Sequence, residues 1–244
     1  MTHLYLIRHG QAISAVENTV GNTRLSPLGV KQAERLRDRL AATGEIAADV
    51  LIASTLLRAR QTAEIVAPAL GLPIIFDDEV QEWRDGVPRD LQAISIEEYN
   101  ERYHSVPFDQ KPFIQALPSA ETWVQFMLRA ATALNRITHE HEGKTIVIVC
   151  HGGIIDCSFI TFFGMSTLQF PQAYFDTHNT SINHWYKSSN EDRPPAWVLE
   201  RYNDVMHLRD IDTPVRIPWK DIARKPAIGA DQARTPTEAK KEII

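Results

Sequence analysis

Two short apolar runs, each stopped by a histidine and a glycine, constrain this chain more than anything else in it. Leu4-Tyr5-Leu6-Ile7 runs into Arg8-His9-Gly10, and Ile146-Val147-Ile148-Val149-Cys150 runs into His151-Gly152-Gly153. Both runs read as buried strands. In open α/β sheets ligands bind outside the carboxyl ends of the strands, which is where these histidines fall. Glycine lets backbone approach a ligand closely, and arginine grips phosphate through two parallel hydrogen bonds. Packing alone does not explain the repetition.

Strand and helix patterns alternate along the rest of the chain, which predicts a mixed, mainly parallel sheet flanked by helices in a three-layer α/β sandwich. A polar loop is expected from Gln11 to Arg24. Ser26-Pro27 caps and opens a helix to about Ala42, with Leu36 and Leu40 on one face and Gly44 beyond its end. Val50-Leu51-Ile52-Ala53 is a second strand. Ser54 is expected to cap a helix running to Leu70, stopped by Gly71, and Ile74-Ile75-Phe76 a third strand entering the acidic patch Asp77-Asp78-Glu79. From 83 to 118 the pattern loosens around Pro88, Pro107, Pro112 and Pro118, with an amphipathic stretch from Ile94 to Tyr103. This reads as a helical or irregular insertion over the site, since long irregular loops are usually functional. A core-facing helix is expected from Ser119, carrying Trp123, Phe126, Met127, Ala130, Leu134 and Ile137. Another follows Gly153, and Ser181–Tyr186 and Trp197–Tyr202 read as a last pair of strands. The domain is expected to span 1–210. The Pro-rich extension 211–244, with a local anchor at Trp219, is expected to be loosely packed.

Composition narrows the partners. The 244 residues are 43% hydrophobic and 23% charged, enough for one large α/β domain or two small ones. The 26 basic and 31 acidic residues leave a net charge of −5, which argues against nucleic acid and requires any anion site to be a local concentration of cations. Two cysteines, Cys150 and Cys157, suit a reducing, cytoplasmic setting rather than a disulfide framework. No leader-like segment opens the chain and no 18-residue apolar run occurs, so neither secretion nor membrane association is expected. The sequence leaves oligomeric state open, a homodimer included.

A histidine that attacks phosphorus needs an unprotonated ring nitrogen, with its other nitrogen holding the proton, commonly toward a backbone carbonyl. Charge on the transferred phosphoryl oxygens needs cations and N–H donors placed in advance. The leaving alkoxide needs a proton, best supplied by a carboxylic acid. The sequence offers candidates for each role: His9 as nucleophile, and Arg8, Arg58 and His151 around it. The positive end of the helix after Gly153 would face the same space.

The ordered set of motifs resembles the histidine phosphatase superfamily, in its phosphoglycerate mutase-like branch. Arg8-His9-Gly10 is similar to its signature, Leu25-Ser26-Pro27-Leu28-Gly29 with Gln32-Ala33 to its first helix entry, and Ser54-Thr55-Leu56-Leu57-Arg58-Ala59-Arg60-Gln61-Thr62-Ala63 to its second signature. Val80-Gln81-Glu82 with Gly86 resembles the acid/base segment, Pro118-Ser119-Ala120-Glu121-Thr122 a further helix start, and His151-Gly152-Gly153 the second catalytic histidine. The resemblance implies a phosphohistidine at His9. It also implies phosphate binding by Arg8, Arg58, His151 and Gly152, proton shuttling by Glu82, and a small phosphorylated substrate. No metal and no cofactor are implied, because protein cations neutralise the charge.

Departures bear on the substrate. Trp83 follows Glu82 where the mutase pattern has arginine, Ala15 replaces a loop asparagine while Asn18 and Asn22 lie further along, and Asp156 stands where many relatives carry arginine. The expectation is therefore a metal-independent phosphomonoester phosphatase. The rivals are a cofactor-dependent phosphoglycerate mutase and a phosphate-binding protein that kept the pocket without turnover. Asp78 and Glu79 compete with Glu82 for the carboxylate role, and His178 and Asn179 are outside candidates for lining the site. Gly143-Lys144-Thr145 precedes its strand and lacks the first glycine of a nucleotide-binding loop. His139 and His141 diverge on a helix, which speaks against a metal pair. Cys150 lacks an arginine six positions on and reads as core.

Overall fold

Alternate residues of the central strands feed two opposite faces, which is why their sequences are apolar throughout rather than in every second position. In the computed structural model the described residues are 1–87, 93–95, 97, 100–101, 106–171, 173, 175–190 and 193–211. The elements are β1 (Thr2–Arg8), α1 (Ile13–Glu17), β2 (Thr19–Gly21), α2 (Pro27–Thr43), β3 (Val50–Ser54), α3 (Leu57–Leu70), β4 (Ile74–Asp77), β5 (Ala93–Ser95), α4 (Trp123–Glu140), β6 (Thr145–Cys150), α5 (Gly152–Phe162), β7 (Ile182–Asn190) and β8 (Arg193–Asp204). Short 3₁₀ turns lie at Asp78–Val80, Lys111–Phe113 and Met206–Leu208.

The main sheet runs β4-β3-β6-β1-β7-β8. The first four strands are parallel, and β7 and β8 form an antiparallel hairpin against β1. Leu4, Leu6, Ile52, Ile146 and Ile148 pack on α4 and α5. Tyr5, Ile7, Leu51, Ala53, Val147 and Val149 face the opposite core, which Leu36 and Leu40 of α2 and Ala59, Ala63 and Val66 of α3 complete. The chain thus leaves β1 toward one face and β6 toward the other. Between those adjacent strands a crevice opens at their carboxyl ends, the switch point where doubly wound sheets bind ligands.

The mixed, mainly parallel α/β sandwich matches the expectation, with local differences. Ser26 accepts from Gly29 N at 3.0 Å, Pro27 opens α2, and Gly44 closes it in the left-handed conformation (φ +59°). Ser54 does not cap the next helix. It ends β3 fully buried, and α3 begins three residues later at Leu57, whose N–H is taken by Asn22 Oδ1 at 2.9 Å. The 11–24 segment is not all loop: it holds α1 and β2, and β2 pairs antiparallel with β5 from the proposed insertion. The helix expected from Ser119 starts at Trp123, because Thr122 and Gln125 form a reciprocal capping box. Much of the 94–103 stretch lies outside the described residues, as do Trp219 and the 212–244 extension. Among the described residues no helix is long and apolar enough to cross a membrane.

Candidate active site

Register brings the two His-Gly sites together. β1 and β6 pair in parallel with Arg8 opposite Cys150, and His9 N donates to Cys150 O at 2.9 Å. His9 and His151 therefore leave neighbouring strands at the same level, and their ring centroids lie 5.0 Å apart. His9 is 7% exposed and His151 fully buried.

The His9 ring is fixed from one side. Its Nδ1 lies 2.6 Å from Gly10 O, a carbonyl that can only accept, so Nδ1 carries the proton and Nε2 presents its lone pair. Arg58 Nε donates to that lone pair at 3.1 Å. Burial holds the His9 pKa well below the ordinary histidine value, and the Arg58 and Arg8 cations push the same way, against the Gly10 bond. A neutral ring with a lone pair directed at a guanidinium group is the state a phosphorus-directed nucleophile requires.

His151 supplies a donor. Its Nε2 is 2.8 Å from Ser54 Oγ, which also receives the Leu56 N–H at 3.3 Å. The Ser54 hydroxyl carries one donor and two acceptor sites, so this contact serves either His151 tautomer; in the one where Ser54 Oγ–H donates to Nε2, the His151 proton sits on Nδ1. Among the described residues Nδ1 has no partner. Burial, Arg58, His9 and Arg8 depress the His151 pKa well below its usual value. Arg8 is held by a bond from a guanidinium nitrogen to Thr177 O, while its Nε is buried without a partner among the described residues. Gly152, in the first turn of α5, faces that guanidinium: a Cβ there would sit 3.7 Å from Arg8 Nε. First-turn N–H groups have no acceptor within their own helix.

The carboxylate enters from the other side. Glu82 Oε2 accepts from Gly153 N at 3.1 Å and Oε1 from Trp83 N at 2.9 Å. A Cβ on Gly153 would lie 2.1 Å from Glu82 Oε1, so this approach exists only with glycine at 153. The competing carboxylates are engaged elsewhere: Glu79 pairs with Arg84 at 3.4 Å, and Asp78 accepts from Thr55 and Gln81. Arg129 fixes the Glu82 backbone. Its guanidinium reaches Glu79 O at 2.7 Å, Gln81 O at 3.1 Å and Glu82 O at 3.1 Å, and grips Glu121 in a fork at 2.6 and 2.7 Å. Among the described residues no group of three or more His, Cys, Asp or Glu side chains is placed to hold a metal ion.

The family model described as histidine phosphatase superfamily (branch 1) matches residues 4–205. The chain belongs to that superfamily. Among histidine phosphatase relatives, a protein named probable phosphoglycerate mutase GpmB from Proteus mirabilis is 28% identical over 214 residues, 86% of this chain and 97% of that protein. Of solved structures, Bacillus stearothermophilus YhfR superposes with a TM-score of 0.67 at 28% identity, covering 85% of this chain and all of that one. A phosphoserine phosphatase variant from Entamoeba histolytica, solved with phosphoserine, gives 0.66 at 22% identity, covering 85% of this chain and all of that one. The last of these is a likeness of fold.

Within the superfamily site, several residues carry no strong local signal in the sequence. Thr62, one turn after Arg58, accepts from Gly10 N at 3.1 Å and donates to Arg58 O at 2.7 Å, tying the nucleophile loop to α3. Asn179 Nδ2 donates to His9 O at 2.9 Å, so it holds the loop backbone, while His178 turns away to Asn203. The i, i+4 spacing of Arg58 and Thr62 was a usable signal for Thr62. Nothing local marks Arg129, a charged residue within an apolar helical stripe. Cys150 is buried, and desolvation raises its thiol pKa, as suits a core residue.

Proposed function

We propose that the chain is a metal-independent phosphatase that hydrolyses small phosphomonoesters through a phosphohistidine at His9. The observation that carries this reading is the His9 ring itself: Nδ1 is committed to Gly10 O, leaving a buried Nε2 lone pair facing Arg58, with burial and the Arg58 and Arg8 charges disfavouring its protonation. Binding phosphate would not require a nitrogen kept unprotonated in this way.

In this mechanism Nε2 forms a bond to phosphorus as the ester P–O bond breaks. Arg8, Arg58, His151 Nδ1–H and the Gly152 N–H neutralise the phosphoryl oxygens. Glu82 gives its proton to the leaving alkoxide. The resulting carboxylate then takes a proton from water as that water attacks phosphorus, releasing inorganic phosphate and restoring neutral His9. The two buried free thiols, Cys150 and Cys157, support a cytoplasmic setting.

Rapid acid quench of the protein turning over a ³²P-labelled ester tests the reading. The expected result is an acid-labile, alkali-stable adduct, absent from His9→Ala, which also loses at least about 10³-fold in kcat/KM. No adduct, with full activity in His9→Ala, overturns it. The names of the curated relatives favour a second reading, a mutase. That reading requires activity to depend on bisphosphoglycerate and phosphoglycerate interconversion to outpace phosphate release.

A further inference from the structure

The helix that follows His151 carries an acidic side chain one turn further along, Asp156. Gly152 faces the Arg8 guanidinium and Gly153 faces the Glu82 carboxylate. Asp156 lies four residues after the first and three after the second, so it shares their face of α5. Its Oδ1 is buried and has no hydrogen-bond partner among the described residues, although the unpartnered Arg8 Nε belongs to the same neighbourhood. Burial and the Glu82 charge raise the Asp156 pKa to about 7, and Arg8 opposes them. An unpartnered buried acceptor is costly unless a ligand completes it.

Glu82 marks where the leaving group must sit, because the proton has to reach the ester oxygen. Asp156 shares the α5 face of Gly153, which meets Glu82, and feels the Glu82 charge. Asp85 adds a third, largely buried carboxyl that also feels Arg58 and Glu82. The phosphoryl end of the site is cationic and the leaving-group end is acidic.

We propose that Asp156 is a specificity-determining residue whose carboxylate accepts a hydrogen bond from a hydroxyl or ammonium group on the leaving group and repels leaving groups that carry a carboxylate. This deepens the phosphatase reading and rests on it. The favoured substrates are phosphate esters of polyols or amino alcohols, and phosphorylated hydroxy acids are disfavoured.

The matched probes are glycerol 3-phosphate and 3-phosphoglycerate, which share a carbon skeleton and differ in a hydroxymethyl against a carboxylate. Calorimetric titration of His9→Ala protein at pH 8 reads binding without turnover. Glycerol 3-phosphate is expected to bind at least about tenfold more tightly, and Asp156→Asn in that background is expected to bring the ratio below about threefold by strengthening 3-phosphoglycerate binding. Asp156→Ser removes the same charge with a smaller side chain and serves if the asparagine variant does not fold. Equal binding of the two esters, or a ratio that neither substitution moves, overturns the assignment. Inorganic phosphate separates the two levels. If phosphate binds while the esters are not discriminated, only the role of Asp156 fails. If phosphate does not bind and no phosphohistidine can be trapped in the unaltered protein, the phosphatase reading fails and Asp156 with it.

Discussion

At the scale of single residues, the site is built to keep one imidazole neutral. Desolvation lowers the His9 pKa most, with Arg58 next and Arg8 after it. Arg58→Gln removes a cation from the ring's surroundings, which makes protonation easier. The acid limb of kcat/KM should therefore move to higher pH, and its plateau should fall by about 10²-fold as a phosphoryl-oxygen contact is lost. A pH profile against one substrate reads both effects, and a limb that stays in place would show that the guanidinium does not set the nucleophile's state. Gly153 makes a different demand, for space. An added methyl would meet Glu82 Oε1 at 2.1 Å and Phe126 Cζ at 2.9 Å, so the carboxylate must swing away and give up the Gly153 N–H. Gly153→Ala is expected to slow hydrolysis of alkyl phosphates by about 10²-fold, the usual worth of a positioned acid. It should slow p-nitrophenyl phosphate far less, since that leaving group departs without a proton. Equal losses on both substrates would point to a damaged phosphate pocket instead.

At the scale of elements, helices do most of the positioning, by one or two inward polar residues each in an otherwise apolar face. α3 carries Arg58 to His9 and Thr62 to Gly10, and α4 carries Arg129 to the 79–82 backbone. Arg129 is nearly buried and its partner Glu121 is little more exposed, so neither charge is well hydrated without the other. Glu121 also accepts from Arg84 N at 3.1 Å, which makes the pair a staple between the start of α4 and the Glu82 segment. Breaking a buried pair strands a charge and costs about 3–5 kcal/mol. Arg129→Met should show a loss of that size in urea denaturation. Pairing it with Glu121→Gln should cost less than the two single losses added together. Strict additivity would mean that the two side chains do not interact.

At the scale of the whole molecule, the central strands and the mainly parallel sheet were legible because continuous apolar runs report burial directly, and Ser26-Pro27 and Gly44 mark α2 through local capping chemistry. Contacts set by chain crossing were not legible. Ser54 looks like a cap because serine before a helix usually is one, yet it lies inside the sheet against a histidine 97 positions away, and Asn22 takes over the helix start from a separate segment. Arg8, His9, Arg58, Glu82 and His151 can be named from motifs, whereas Arg129 and the unpartnered oxygen of Asp156 emerge only from packing. The fold also stores its histidines neutral, with consequences for stability. Burial lowers His184 and His207 to about 4, while His9 and His151 lie well below the usual value. A base whose folded pKa is depressed binds its proton first in the unfolded chain. Stability is therefore full above about pH 6.5 and falls as pH drops through that value toward 4, at about 1.4 kcal/mol per pH unit for each proton of difference. Asp156 works in the opposite sense: with its folded pKa raised to about 7, the native state takes up a proton that the unfolded chain refuses until pH 4, which stabilises it over the same window. Asp204, held near 2 by Arg39, weakens the fold only below pH 4 and leaves the window to the other groups. Asp85, whose pKa burial also raises, acts with Asp156; four histidines outweigh these two aspartates, so the urea midpoint should fall between pH 7.5 and 5.5. His184→Gln should flatten that fall, and Asp156→Asn, which deletes part of the opposing proton uptake, should steepen it. A midpoint that holds or rises as the solution is acidified would show that the buried imidazoles do not govern the acid limb.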